Sequence, residues 1–363
     1  MRHRVSALVG EGRPAWVVDL AGFRERCASA ASAARAVDVT LLMAVKACSD
    51  ERLLTVAARE GLGFDCSNLV EVDRVRSLLE PRTAVSLTAP AVPGYERSEL
   101  LKFISSGQRT WANWHSLDQL MWACHEAPAA SHGLRLFAPE CAPPELVGSY
   151  RQSRFGVRLD HISDALSIAA ERGARVSNLH VHNGSGEHRT EWYEAAARTM
   201  LDTARGADLP LERVNLGGGL QAKTGTELSE LLGVIRGLQR DGVEFVLEPG
   251  GWWYRGLVWL AAPVLEVTIG DLCNFVVIDA GAENHRRWSL PVAPNFGPTE
   301  TGRPHVICGR TCSEKDYFAQ VAGCPDAPVP QVGDWVVLSM SSYSLELQSS
   351  FGGLRPLPAI FAE

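Results

Sequence analysis

A short apolar run at residues 41–48, LLMAVKAC, carries a single lysine, Lys46, near its end. Such a run predicts a buried strand, and an ammonium group at the end of that strand must be paired, neutralised or used covalently. One interpretation is a lysine that emerges into a loop and is solvated. The other is a lysine that forms a Schiff base, because its amine becomes nucleophilic once its pKa is lowered. The run by itself is compatible with both.

The composition is that of a protein with a large hydrophobic core. Of its 363 residues, 46% are hydrophobic and 21% are charged, and this length predicts one large domain and a smaller one. The formal net charge of −7 and the pI near 5.8 argue against a nucleic-acid-binding surface.

The sequence has no evident targeting or membrane-spanning segment. The basic residues at 2–4 are not followed by a long apolar region, and the longest apolar run, 257–265, is too short for a bilayer. Nine cysteines with irregular spacing and no CxxC pair argue against a disulfide framework or a zinc ribbon. We therefore expect a cytoplasmic protein that does not associate with membranes.

Strand-like and helical runs alternate between residues 41 and 248. Strands are predicted at 41–46, 63–66, 83–88, 109–113, 134–138, 177–182, 213–216 and 243–248. Amphipathic helices are predicted at 51–60, 68–79, 97–105, 116–125, 162–172, 190–205 and 227–240. A doubly wound sheet has a similar rhythm, but eight units fit the ~250 residues typical of a (β/α)8 TIM-type barrel. We therefore predict an α/β protein with such a barrel.

The pattern changes after Gly251. Strand-like runs at 258–268, 274–279, 305–308 and 334–340 are joined by connections rich in glycine and proline. We predict a barrel of residues 21–257 and a separate β domain of residues 1–20 and 258–363, which includes a first strand near Trp16.

Active sites of such barrels lie at the C-terminal ends of the strands. Five of the predicted strands end in residues that could act in catalysis or bind a cofactor. The candidates are Lys46, Asp65, the segment HVHNGSG at 180–186, GGG at 217–219, and Glu248. The glycines could bind a phosphate through bare amides or could simply form a turn, and Ser185 adds a hydroxyl. His180 and His182 lie on one face of their strand, where either a structural role or contact with a bound ring is possible.

Glu248 closes an apolar strand and needs a charged partner or a proton. A structural ion pair is one explanation. A functional explanation combines it with a lysine and a phosphate-binding loop at one barrel mouth, which suits pyridoxal 5'-phosphate. The lysine forms the imine, the glycines hold the phosphate, and the carboxylate keeps the pyridine nitrogen protonated, so that the ring stabilises a carbanion at the substrate α-carbon.

Together these motifs resemble the fold-type III pyridoxal-phosphate decarboxylases, the group of diaminopimelate and ornithine decarboxylases, over nearly the whole chain. The similar segments are AVKA at 44–47, GFDCS at 63–67, HNGSG at 182–186, GGG at 217–219, EPG at 248–250, LRL at 134–136 and SRFG at 153–156. The resemblance implies an alanine-racemase-like combination of barrel and β domain. It implies that His182 stacks on the cofactor ring, that Arg135 lies near the cofactor, and that Gly250 belongs to the cofactor site.

The C-terminal part carries the resemblance too, at CGRTCSEKD (308–316), SY (342–343) and FGGLRPLP (351–358). By resemblance, Cys312 enters the active site of the neighbouring subunit and helps to protonate the product carbanion, which implies a homodimer with shared active sites. Tyr343 contacts the cofactor phosphate. Substrate contacts are expected from Tyr343 and from Ser313, Asp316, Arg287 and Phe351.

Two positions depart from the family pattern. The family usually has a phosphate-binding arginine directly after EPG, whereas this chain has Gly251 there. The family usually has an acid directly after its cysteine, whereas this chain has Ser313. That acid typically meets the distal amine of the substrate, so free ornithine or diaminopimelate is not implied. Arg286 and Arg287 indicate an anionic distal group on the substrate or, alternatively, a solvated surface pair.

We therefore predict α-decarboxylation of an amino acid or an amino-acid conjugate to the amine. One alternative is a racemase or epimerase with the same cofactor, although Glu248 argues against it, because racemases of this fold place an arginine at the pyridine nitrogen. Another is a silent homologue that acts through protein partners. A metal enzyme is a remote alternative, since only His180 and His182 have ligand-like spacing, and no metal ligand is assigned.

Overall fold

A computed structural model describes residues 12–141, 153–182, 189–220, 225–240, 242–299 and 302–363. The chain divides into two compact units. We call Arg24–Trp253 the barrel unit, and we call Met1–Phe23 together with Tyr254–Glu363 the β unit.

Strand β1 (Ala15–Asp19) and helix α1 (Leu20–Arg35) precede the strands of the barrel. The barrel unit contains β2 (Val39–Ala44), β3 (Gly63–Cys66), β4 (Val85–Leu87), β5 (Thr110–Trp114), β6 (His132–Phe137), β7 (Val157–Arg158), β8 (Val176–His180), β9 (Arg213–Asn215) and β10 (Glu244–Leu247). All of these strands pair in parallel. Because β10 pairs with β2 and β5 pairs with β6, eight strands close into a ring, with β7 added only beside β6. The predicted TIM-type barrel is confirmed.

Helices follow most barrel strands: α2 (Glu51–Arg59), α3 (Leu69–Arg76), α4 (Arg97–Ile104), α5 (Leu117–Glu126), α6 (Ile162–Ala170), α7 (Thr190–Gly206) and α8 (Gly225–Leu238). Three of them begin at side chains that accept a hydrogen bond from the first-turn backbone, namely Asp50, Asn68 and Ser116. Such caps satisfy amides that have no partner inside the helix and so fix where each helix starts.

Large apolar side chains fill the strand layer. Leu42, Ala84, Trp111 and Val246 form one buried cluster, and Trp111 is completely shielded from solvent. Strands covered on both faces carry continuous apolar runs, which explains why these segments are recognisable in the sequence.

Several predicted strands extend too far at their C-terminal ends. The strand predicted at 41–46 ends at Ala44, and Lys46 lies in a 3-10 turn, Val45–Ala47. The strands predicted at 177–182 and 243–248 end at His180 and Leu247, so that His182 and Glu248 follow their strands. Lys46, His182 and Glu248 therefore lie on the connections just beyond their strands.

The β unit contains one seven-stranded sheet, which β1 joins. Its other strands are β11 (Val258–Ile269), β12 (Asn274–Ile278), β13 (His305–Cys308), β14 (Tyr317–Val321), β15 (Trp335–Ser339) and β16 (Ala359–Ala362). The order is β14-β13-β12-β11-β1-β16, with β15 paired to β11. Short helices α9 (Ala282–His285) and α10 (Ser342–Glu346) follow β12 and β15. Strands β14 and β16 have no counterpart among the predicted strands.

Within the described ranges, no helix combines the length and the apolar character needed to cross a bilayer.

Gly63 offers a test of the close packing between the barrel strands. A Cβ atom there would lie 2.3 Å from the Ala84 carbonyl oxygen and 2.5 Å from Leu42 Cδ2. We expect Gly63→Ala to lower the free energy of unfolding by about 1–3 kcal/mol, because a packed interior does not accept an added methyl group. Denaturant titration of both proteins measures this difference.

The matched control is Gly233→Ala in α8, where an added Cβ meets no atom within 4 Å. That change is expected to raise the free energy of unfolding by about 0.5–1 kcal/mol, because alanine favours the helix interior. Equal stability of Gly63→Ala and the wild type would contradict the packing described for β3.

Candidate active site

The C-terminal ends of the barrel strands bring three of the predicted residues to one mouth. Lys46 follows β2, Asp65 lies in β3, and Glu248 follows β10. Strands β3 and β10 both pair with β2, so the three side chains come from adjacent strands. The Ala44 amide also donates to the Pro249 carbonyl at 3.3 Å, which ties the connection carrying Glu248 to the end of β2.

Lys46 is paired with a buried carboxylate rather than solvated alone. Its Nζ lies 2.9 Å from Asp65 Oδ2, and its side chain is 43% exposed whereas that of Asp65 is 2% exposed. The neighbouring residues Val45 and Ala47 are completely buried. The 3-10 turn thus anchors the backbone in the core and leaves the amine accessible at the mouth, which is the arrangement that a covalent role requires.

Asp65 and Glu248 are two buried acids with opposite pKa shifts. Burial and the charge of Glu248 raise the pKa of Asp65 to about 7, although Lys46 opposes this shift. Burial would also raise the pKa of Glu248, but His180, Lys46 and Asn215 outweigh it and lower the pKa to about 2. Glu248 therefore remains an anion at neutral pH.

Two side chains hold Glu248 in place. Asn215 Nδ2 donates to Oε1 at 2.6 Å, and His180 Nε2 lies 3.3 Å from Oε2. Burial lowers the pKa of His180, so its ring is neutral and donates its Nε2 proton to the carboxylate. The histidine has a partner in Glu248, and Asn215 is a site residue that the sequence reasoning missed. Its signal was its place two residues before the glycine loop.

The three glycines at 217–219 are required by space and conformation. Gly217 and Gly219 have positive φ angles of 64° and 87°. A Cβ on Gly218 would lie 2.5 Å from the Glu248 carbonyl oxygen. The loop therefore passes directly over the end of β10, with room only for bare backbone.

His182 is fixed by this loop. The Gly218 amide donates to His182 Nδ1 at 3.0 Å, so Nε2 carries the ring proton. Burial lowers the pKa of His182 well below its usual value, and Arg135 and Lys46 add to this effect. A neutral, half-buried ring at the mouth can lie against a flat ligand. The Gly217 amide is also engaged, by Asn215 Oδ1 at 2.9 Å.

Arg135 in β6 lies on the same side of the barrel as these groups. Its guanidinium carbon is 4.6 Å from the centre of the Phe155 ring, and that of Arg154 is 4.2 Å from the same ring. Gly250 accepts a hydrogen bond from the Trp253 amide at 3.2 Å. The predicted contribution of Ser185 lies outside the described residues.

The remaining predicted residues belong to the β unit. Cys312 is exposed in the connection between β13 and β14, followed by the partly exposed Ser313. Phe351 is 49% exposed and Arg287 is exposed as well. Tyr343, in α10, packs edge-on against Trp288, with ring centres 5.6 Å apart. These positions leave the predicted side chains accessible, with the exception of Asp316.

Asp316 is 5% exposed and accepts hydrogen bonds from its own unit. Its donors are the Ala282 amide at 2.5 Å, the Thr311 amide at 2.7 Å and the Thr311 hydroxyl at 2.5 Å. A carboxylate with this many internal partners organises the loop that presents Cys312. These hydrogen bonds favour a structural role for Asp316. Its predicted contact with the substrate stays a prediction.

The site fits a pyridoxal cofactor on observations of its own. It combines an accessible amine with an ionised and immobilised carboxylate on the neighbouring strand, beside a glycine loop with no space for side chains. Asp65 Oδ1 and His180 Nδ1 are buried without a hydrogen-bond partner in the described part of the chain. Such groups are typical of a polar site built to receive a ligand.

Solved structures of several decarboxylases have the same fold. The arginine decarboxylase of Paramecium bursaria Chlorella virus superposes with a TM-score of 0.82 and 22% identity, covering 100% of both chains. The diaminopimelate decarboxylase of Helicobacter pylori, with bound L-lysine, superposes with a TM-score of 0.79 and 17% identity, covering 100% of this chain and 94% of that one.

Comparison with known sequences identifies the family to which the chain belongs. A diaminopimelate decarboxylase of Streptomyces coelicolor is 25% identical over 399 residues, covering 99% of this chain and 87% of its own. A probable ornithine decarboxylase of Dictyostelium discoideum is 24% identical over 348 residues, covering 88% and 73%. Residues 20–252 match the pyridoxal-binding domain of the pyridoxal-dependent decarboxylases. The predicted family, cofactor and reaction class are confirmed. The chain belongs to the pyridoxal-dependent decarboxylase family, and its cofactor is pyridoxal 5'-phosphate.

Proposed function

We propose that this chain removes the α-carboxylate of an amino acid or an amino-acid conjugate to give the amine. One observation carries the proposal: an ionised Glu248, held by Asn215 and His180, lies at the same barrel mouth as the amine of Lys46. The bound cofactor supplies an electron sink for the electrons that the departing carboxylate leaves behind. The residues of the chain must then bind it, keep it protonated and manage the proton that the product needs.

Lys46 holds the cofactor covalently through its amine, and Glu248 holds the proton on the cofactor ring nitrogen. A carboxylate with two hydrogen-bond donors and a pKa of about 2 keeps its negative charge and therefore stabilises a positive nitrogen beside it. Asp65, whose pKa is raised to about 7, accepts from the lysine amine and is suited to exchange a proton with it near neutral pH.

His182 provides a flat surface against the cofactor ring, oriented by the Gly218 amide. The phosphate group is assigned to the glycines at 217–219, with Arg135, Gly250, Ser185 and Tyr343 as further contacts. Since Gly217 and Gly218 already donate within the chain, the amide of Gly219 is the one in this loop that the described residues leave available.

Residues of the β unit are assigned two tasks, the delivery of a proton to the product and contact with the side chain of the substrate. Cys312, exposed at the tip of its connection, delivers a proton to the α-carbon in the active site of a partner subunit, so the working form is a homodimer. Ser313, Arg287, Phe351 and Tyr343 are the proposed substrate contacts. Asp316, which accepts hydrogen bonds from Ala282 and Thr311, is assigned to the positioning of the loop that carries Cys312. All nine cysteines are free thiols, which supports a reducing compartment such as the cytoplasm.

A substrate screen with Lys46→Ala as the control tests the reaction. Acidic, basic and conjugated amino acids are incubated with the loaded wild-type protein, and carbon dioxide and amine are followed by mass spectrometry. We expect at least one substrate to yield both products. Lys46→Ala should lose the visible absorbance of the bound cofactor and nearly all activity, because no covalent link can form.

Lys102→Ala is the matched control, because Lys102 is 68% exposed and its one ion pair among the described residues is with Glu99 on its own helix. It should behave like the wild type. Exchange of the α-proton without release of carbon dioxide would instead indicate a racemase. Cofactor binding without conversion of any amino acid would indicate a silent homologue.

Shared active sites can be tested by mixing two inactive variants. Lys46→Ala and Cys312→Ala subunits each lack one contribution, and a mixed dimer contains one site with both Lys46 and Cys312 intact. We expect co-refolded mixtures to recover decarboxylation that neither variant has alone. If activity stays at the level of the separate variants while mixed dimers form, Cys312 does not act across the dimer.

A further inference from the structure

The β unit contains a pocket that is lined by none of the residues proposed above as cofactor or substrate contacts. Its volume is about 530 Å³, which is within the range of small-molecule sites. Its walls come from the connection after β12, the connection after β13, the residues just before β1 and the segment 353–358 that leads into β16. Apolar residues of that last segment, Pro356, Leu357 and Pro358, form one side.

The pocket is positively charged although the chain as a whole is acidic. Arg13, Arg310 and Arg355 line it, and Asp279 is its one lining acid. Arg310 Nε lies 3.0 Å from Asp279 Oδ1, so that acid is already neutralised. The side chains of Arg13 and Arg355 form no ion pair with any described residue. Two guanidinium groups therefore remain to bind a ligand, in a chain whose net charge is −7.

A buried donor belongs to the same pocket. His285 is 1% exposed and lines the pocket beside Arg355. Its Nδ1 accepts from the Gly281 amide at 3.2 Å, so Nε2 carries the proton. That Nε2 is buried, and the Arg355 backbone is near enough to act on the ring, where it opposes the lowering of the pKa by burial. The contact ties the buried ring to the segment that carries Arg355, so it helps to fix the position of that wall of the pocket.

We propose that this pocket binds the anionic group, a carboxylate or a phosphate, of a small molecule. Arg13 and Arg355 donate charge-assisted hydrogen bonds to its oxygens, and the guanidinium fork suits both kinds of oxyanion. Arg310 remains with Asp279 and limits the excess positive charge. The inference does not depend on the proposed decarboxylation, because it concerns the binding of an ion to the folded protein.

Calorimetric titration of the cofactor-loaded protein with inorganic phosphate and with succinate tests the proposal. The loaded form is used because its cofactor fills the other phosphate-binding position. We expect saturable binding at one site per chain, weakened by added salt. Arg13→Gln and Arg355→Gln should each raise the dissociation constant about tenfold or more, because each removes a charge-assisted contact.

Asp279→Asn should lower the dissociation constant, because it releases Arg310 to the ligand. Arg82→Gln, an exposed arginine outside the pocket, is the matched control and should leave binding unchanged. If neither probe binds saturably, or if Arg13→Gln and Arg355→Gln bind as the wild type does, the proposal is overturned.

Turnover assays with added succinate or phosphate identify the source of the anion. If the probes compete with the amino acid, the pocket receives an anionic group of the substrate. If they bind without changing its KM, the pocket serves a separate anionic ligand. Either result supports an anion site, and a failure to find any amino-acid substrate would leave the calorimetric outcome unaffected.

Discussion

The barrel unit buries two carboxylates beside a single amine, and this electrostatic arrangement determines what the site can do. Neither acid could be buried and charged without compensation. Glu248 is compensated by hydrogen bonds from Asn215 and His180 and stays ionised, whereas Asp65 is compensated mainly by Lys46 and titrates near neutrality. Opposite pKa shifts in neighbouring acids assign them different tasks. One keeps a fixed charge, and the other can exchange a proton.

The fold supports this arrangement through strand pairing. Parallel strands in a closed barrel place successive C-terminal ends at one mouth, so residues far apart in the sequence meet without a special loop. The glycine loop at 217–219 passes over the Glu248 carbonyl at a distance that excludes any side chain. The same loop orients His182 through the Gly218 amide. A change in strand register here would displace the acid, the histidine and the loop together.

Much of this could be predicted from the sequence, because the relevant signals are local. Strands buried on both faces are apolar runs, and the residues that end them stand out as isolated charges such as Lys46 and Glu248. The role of Asn215 was not predicted, because its place two residues before the glycine loop is compatible with many different contacts. Its function depends on which neighbour its side chain reaches. The buried, fully bonded state of Asp316 is also a tertiary property, since its donors at Ala282 and Thr311 come from separate connections.

We propose that the fixed negative charge of Glu248 makes the cofactor ring an effective electron sink. The most direct measurement is the decarboxylation rate of cofactor-loaded Glu248→Gln, with the visible absorbance of the bound cofactor recorded on the same sample. We expect normal cofactor loading through Lys46 and a kcat lowered about 100-fold or more, because the neutral amide cannot stabilise the ring proton. A fully loaded variant that decarboxylates its substrate at the wild-type rate would contradict it.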